Sequence, residues 1–203
     1  MSKVFFVGYF FFVASTIAFI VAILTPFWII KANPDYRGIF EVCDKVENSA
    51  QKRQCSYILT YSDEEFIKVN RFDYAVACAS LSIAASSLSI ILLVVAGLHM
   101  CLKHKVDSNR SLRLRLAEIL IAGTLLIDCL TIVVWVVMLA KNLDQNNVIT
   151  TNEIGWSLWL AVSTTGGFLI ALVLFAIHRI DLGAFFGGRR TTYNESREYL
   201  QRF

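Results

Sequence analysis

Charged side chains divide this sequence into four long apolar runs. Between Lys3 and Lys31 lie 27 residues without a charge. Tyr74 to Leu102 makes a second run of 29, with His99 its one basic side chain. The third, Ile119 to Ala140, follows Glu118 and is broken once, by Asp128. Ile154 to His178 is the fourth. A helix needs about 20 apolar residues to cross the hydrocarbon core, so each run makes one crossing and none makes two. The expected helices are 4–30, 74–101, 116–140 and 155–178. A signal peptide has an apolar stretch of about 7–15 residues and a small-residue cleavage site. The first run is longer and ends in Pro26-Phe27-Trp28, so it reads as a retained helix.

The polar stretch between the first two runs, 31–73, has a pattern of its own. Ile39-Phe40-Glu41-Val42-Cys43 alternates as a strand does, and Cys55 to Tyr61 is rich in β-branched and aromatic residues. Asp44 to Gln54 then forms the hairpin connection. Ser62-Asp63-Glu64-Glu65 fits a capping box, which starts a helix near Asp63 that runs through Arg71 toward the second crossing.

Composition removes the soluble alternatives. Of 203 residues, 56% are hydrophobic and 17% charged, with a mean hydropathy of +0.58. Soluble chains carry about 25% charged residues. The net charge of +3 is too small to argue for nucleic acid, and its placement matters more. Five Lys or Arg fall within Lys103 to Arg115, and five Arg follow His178. The segment Lys31 to Asp73 is mixed, with seven basic and eight acidic residues, and Lys141 to Glu153 has one Lys against two acids. Positive charge marks the cytosolic side, so both termini and the 102–115 loop belong there, with 31–73 and 141–154 outside.

Five cysteines fit this topology. Cys78 and Cys129 lie within crossings, Cys101 sits at the cytosolic edge of the second, and Cys43 and Cys55 share the outward loop. An oxidising compartment pairs the last two, and closing a loop of about 13 residues stabilises by about 3 kcal/mol. Two free thiols are the alternative.

Trp28 at the end of the first crossing, Gly38-Ile39-Phe40, Cys43, Cys55, and Arg71 before the second crossing together resemble the claudin superfamily signature. That signature is a Trp, then Gly-Leu-Trp, then two cysteines. The superfamily includes peripheral-myelin and epithelial-membrane proteins and channel gamma subunits. Ile39-Phe40 stands in place of Leu-Trp and the Cys spacing is slightly long, which marks a divergent member. The resemblance implies an all-α membrane fold: a left-handed four-helix transmembrane bundle with a small extracellular antiparallel β-sheet. It implies one four-span domain over 1–180 and a cytosolic tail over 181–203. Tetraspanins place their Cys-rich loop between the third and fourth helices, where this chain has no Cys.

Asp128 sits mid-crossing, where a carboxylate is expensive and often functional. Its alternatives are an ion or partner contact inside the bilayer, or a protonated carboxyl hydrogen-bonded to Ser or Thr of a neighbouring helix. With no intramembrane Lys or Arg to match it, the structural reading is preferred. Ala75, Ala79, Ser82 and Ser86, with Gly166-Gly167, suit close helix packing. Cys101, next to Lys103 and Lys105, is a candidate for palmitoylation, with a free thiol equally open. Phe185-Phe186 followed by Arg189-Arg190 suits contact with the anionic inner leaflet, though a positive-inside flank explains the arginines nearly as well. The three histidines fall at cytosolic helix ends, where such side chains are usually solvated or interfacial. In claudin-like pores, charges on the sheet select ions, which implies Asp44, with Glu41 and Glu47. A solvated charge beside a disulfide is the simpler reading and is preferred.

No metalloprotease, Cys-x-x-Cys, phosphate-loop or nucleophile-elbow motif is present, so the expectation is a non-enzyme without cofactor or metal. Its partners are the lipid bilayer and either itself, laterally or across a cell gap, or another membrane protein such as a channel or receptor. The expected location is the plasma membrane, at cell–cell junctions in the first case. The ending Tyr199 to Phe203 lacks the Tyr-Val by which many claudins bind scaffolds, which counts against classical junction membership. The topology has a direct check. Glycosylation sequons placed within 44–54 are expected to be modified, and the natural Asn109-Arg110-Ser111 and Asn194-Glu195-Ser196 are not; sugar on Asn109 in cells would reverse the orientation.

Overall fold

The computed structural model describes residues 3–30, 36–45, 53–57, 73–101, 110–146 and 154–200. Four helices dominate: α1 (Lys3–Leu24), α2 (Asp73–Cys101), α3 (Arg110–Asn146) and α4 (Trp156–Leu200). Each contains a stretch long and apolar enough to cross a membrane. Helix α1 packs against α4 and α2, and α3 packs against α2 and α4, which closes the four into a bundle.

Helix α1 stops at Leu24, six residues before the end expected from charge alone. The reason is local. Pro26 cannot donate to the helix ladder, and Thr25 before it is pushed away from helical dihedrals. The carbonyls left over at the helix end find side-chain donors instead. Thr25 Oγ1 donates to Val21 and Ala22 carbonyls at 3.0 and 3.1 Å, and Trp28 Nε1 donates to the Ala22 carbonyl at 2.6 Å. A charge count sees none of this. Two other helices run longer than expected: α3 extends past 116–140 in both directions, and α4 continues through 181–200, within the expected tail.

Between α1 and α2 four short strands pair in chain order, all antiparallel: β1 (Ile29–Ile30), β2 (Tyr36–Arg37), β3 (Glu41–Lys45) and β4 (Arg53–Tyr57). The third begins two residues later than the alternation suggested. Gly38 N–H donates to the Glu41 carbonyl at 2.8 Å, and this turn buries Ile39 completely instead of placing it in a strand. The capping box at Ser62 to Glu65 lies outside the described residues.

The bundle interior is more polar than its surface. Phe6, Phe10, Ile91, Val94 and Ile180 face outward, while Ser82, Ser89, Thr124, Thr131 and Thr164 are buried. In lipid no hydrophobic force drives helices together, so they associate by close packing. The buried hydroxyls cost little because they bond their own helix: Ser82 to Cys78, Ser89 to Ala85 and Thr124 to Leu120, at 2.7, 2.8 and 2.7 Å. Phe5, Phe12, Phe168 and Phe175 stack along the α1–α4 seam with ring centroids 5.5–6.2 Å apart.

The neighbouring glycines of α4 play different parts. A Cβ on Gly167 would fall on Ser15 Oγ of α1, whereas one on Gly166 would meet nothing within 4 Å. Gly167→Ala is therefore expected to destabilise the bundle by about 1–3 kcal/mol. Gly166→Ala should be neutral or gain up to about 1 kcal/mol from helix propensity. Thermal unfolding of the two variants in the same detergent separates them, and equal melting temperatures would refute the close α1–α4 approach.

Candidate functional site

The residues of the sequence signature gather where the sheet meets the bundle. Trp28 is fully buried, its indole N–H held by the end of α1. Gly38 lies against the same corner: a Cβ there would come within 2.7 Å of Pro26 Cα and 3.0 Å of the Thr25 carbonyl oxygen. Ile39, next in sequence, is fully buried, and Phe40 packs against the same core at partial exposure. Signature residues ten positions apart thus meet because the chain doubles back through β1 and β2, Ile29 facing Arg37 and Ile30 facing Tyr36.

The start of α4 completes the corner. Gly155 N–H donates to the Trp28 carbonyl at 3.0 Å, and Ser157 N–H to the Phe27 carbonyl at 3.2 Å. The Thr25 and Ser157 hydroxyls share a hydrogen bond at 2.7 Å, and Ile29 bridges to Ile154. Gly155 has no room for a side chain, since a Cβ would fall on the Phe27 carbonyl oxygen. Nothing in the linear pattern singled out Gly155; a lone glycine at the very start of the fourth run was the one available signal. Phe27 forms an aromatic edge with Tyr36 (5.1 Å) and Trp156 (5.9 Å) around this junction.

Cys43 and Cys55 are directly opposed in the β3–β4 register, and Asp44 lies opposite Gln54. Glu41, whose carbonyl receives Gly38, lies opposite Tyr57. Arg71 and Glu47 lie outside the described residues, and Cys101 is the last residue of α2. Asp128 is 3% exposed, and its Oδ1 has no hydrogen-bond partner among the described residues. The bond from a neighbouring Ser or Thr that the sequence suggested is therefore not formed at that oxygen. The structure brings Trp28, Gly38, Ile39 and Phe40 together and leaves Asp128 apart from them.

The histidines depart from expectation. His99 and His178 are buried, at 6% and 5% exposure, and their Nε2 atoms lie 3.3 Å apart. Charge-based reading placed each at a wet helix end and could not see that the two ends face each other. Among the described residues no group of three or more His, Cys, Asp or Glu side chains could hold a metal ion.

A family profile described as "Tight junction protein, Claudin-like" matches residues 1–182. The chain belongs to the claudin-like family. The match covers all four helices' membrane stretches and the whole sheet junction, and the chain is accordingly a multi-pass membrane protein. No individual curated protein matches it.

The junction makes a graded prediction. Gly155→Ala, which must displace backbone, is expected to abolish surface delivery. Trp28→Phe keeps the ring but loses one buried hydrogen bond, and should cost about 1 kcal/mol, leaving delivery largely intact. Surface biotinylation of both variants, normalised to total protein, checks the order. Normal delivery of Gly155→Ala would mean the corner is not built as described.

Proposed function

We propose that this protein acts by contact at cell–cell boundaries, with both termini and the 102–115 loop in the cytosol and the sheet outside. The observation that carries this reading is the match to a claudin-like tight junction family over residues 1–182. The sheet junction supports it. A surface that binds another protein must be held still, and the chain entering this sheet is tied to the end of α1 by the Trp28 indole and to the start of α4 by backbone hydrogen bonds. On this reading the protein turns over no substrate and takes no cofactor; lateral and trans contacts run through 31–73. The left-handed bundle and the division into a domain over 1–180 and a tail over 181–203 belong to the same proposal.

A Cys43–Cys55 disulfide belongs to it too. Directly opposed residues of an antiparallel pair have Cα atoms about 4.5–5.5 Å apart, inside the range a disulfide spans. Unreduced peptide mapping is expected to recover the linked pair, and replacing either Cys should impair export but not membrane insertion. Alkylatable thiols at both positions in surface-delivered protein would exclude it.

Ion selection by Asp44, lipidation of Cys101 and a partner contact at Asp128 remain separate and weaker proposals. The test of the main one is expression alone in cells that make no junctions. Enrichment along lines where two expressing cells meet supports contact; a uniform surface signal with a channel or receptor copurifying in mild detergent would replace it with an auxiliary-subunit role.

A further inference from the structure

At the end of the bundle opposite the sheet, three helices meet on two imidazoles. His99 of α2 and His178 of α4 stand edge to face, their rings at 87° with Nε2 atoms 3.3 Å apart. Phe5 of α1 packs on both, with centroids 4.9 Å from each. All three side chains are buried.

The hydrogen-bond network assigns the proton. A neutral imidazole has one N–H and one lone pair. His99 Nδ1 is buried without a partner among the described residues, and an orphaned buried N–H is costlier than an orphaned lone pair. His99 therefore carries its proton on Nε2 and donates to Nε2 of His178. That contact accommodates one proton between the rings. Two would place donors head to head and two positive charges 3.3 Å apart among buried side chains.

The surrounding charges do not relieve such a pair. From α3, the Arg113 guanidinium interacts electrostatically with His99, adding a third positive charge. From α4, the Asp181 carboxylate acts on His178 as a counter-charge. Glu118 of α3 is already engaged by Arg179 of α4 at 2.7 Å. Lys3, at the start of α1, is exposed and basic. The site can take one extra proton against Asp181, but not two against Arg113.

We propose that His99 and His178 form a proton-responsive clasp that joins α2 to α4 while one proton lies between the rings and opens when both rings are protonated. The clasp stands on this geometry and is independent of the contact role above. The sign follows from proton counting. An unfolded chain leaves both imidazoles free to take a proton, while the closed clasp holds a single proton between the two rings. The unfolded state then binds more protons in acid, so stability falls as pH falls.

The test uses the full chain in lipid nanodiscs with ¹⁵N-labelled histidine. The chain has three histidines, so replacing His104 assigns the remaining signals. At pH 7.5 a through-bond ¹⁵N–¹⁵N coupling between the two Nε2 atoms is expected, lost on acidification to pH 5. Over the same interval the melting temperature of the unmodified protein should drop by about 5 °C, and that of His178→Gln by less than half as much. No coupling at pH 7.5, with two independently titrating rings, would overturn the clasp. So would an equal melting drop in His178→Gln. Should that variant not fold, the spectra of the unmodified protein decide alone.

Discussion

A helix that ends inside or beside a membrane leaves carbonyls that water cannot reach, and much of this structure follows from how α1 meets that constraint. Helix termini expose about four unsatisfied groups each. At the end of α1 the Trp28 indole and the Thr25 hydroxyl take the Ala22 and Val21 carbonyls. Reaching back to Ala22 places the Trp28 ring in the core and turns the following chain sideways into β1. It also leaves the Phe27 and Trp28 carbonyls pointing at the start of α4, whose own first N–H groups need acceptors. Ser157 and Gly155 supply those donors. The carbonyls of the turn that follows one helix and the free N–H groups at the start of another thus satisfy each other. The fit excludes a side chain at position 155, because the two backbones touch there.

The sheet inherits its position from that exchange. Gly38 lies over Pro26 with no space for a Cβ, so β2 folds flat against the helix end, and Ile39 plugs the junction behind Trp28. Substituting Ile for the Leu of the usual signature keeps an aliphatic plug of the same volume, and such swaps are tolerated in cores. Phe40 stands at the rim, where a smaller ring in place of Trp changes surface more than packing.

What was legible in the sequence follows physical range. Four crossings were readable because a charge in hydrocarbon is expensive enough to punctuate the chain by itself. The Trp28–Gly38 signature was readable through its resemblance to a known family, and the opposition of Cys43 to Cys55 because alternation and spacing act over short distances. Helix ends were not. Leu24 is set by a proline and two side-chain donors, and the extension of α4 to Leu200 crosses residues too polar for an apolar run. Gly155 and the His99–His178 pair were invisible for a different reason. Ser157 meets Thr25 across 132 residues, and the two histidines meet across 79. Nothing in either local pattern carries its partner. Asp128 was visible as an anomaly, but its surroundings depend on which face of α3 it occupies, and a run without periodic polarity does not reveal that.

The two ends of the bundle are fastened by different physics. At the sheet end the ties are backbone amides, hydroxyls and an indole, none of which changes charge between mild acid and mild base. Their strength is set by geometry, and glycine at 38 and 155 makes that geometry intolerant of change. At the opposite end the ties are an imidazole pair and an Arg179–Glu118 bridge whose side chains are about half exposed, 47% and 52%. Exposed ion pairs contribute about 0–1 kcal/mol and are screened by salt, so the bridge alone holds little. That end therefore responds to proton and salt concentration while the sheet end does not. On the contact role proposed above, a surface that must keep its shape against a neighbour needs the sheet fixed. The hydrogen bonds that position β1 and β2 lie at the ends of α1 and α4 nearest the sheet, so none of them runs through the imidazole pair.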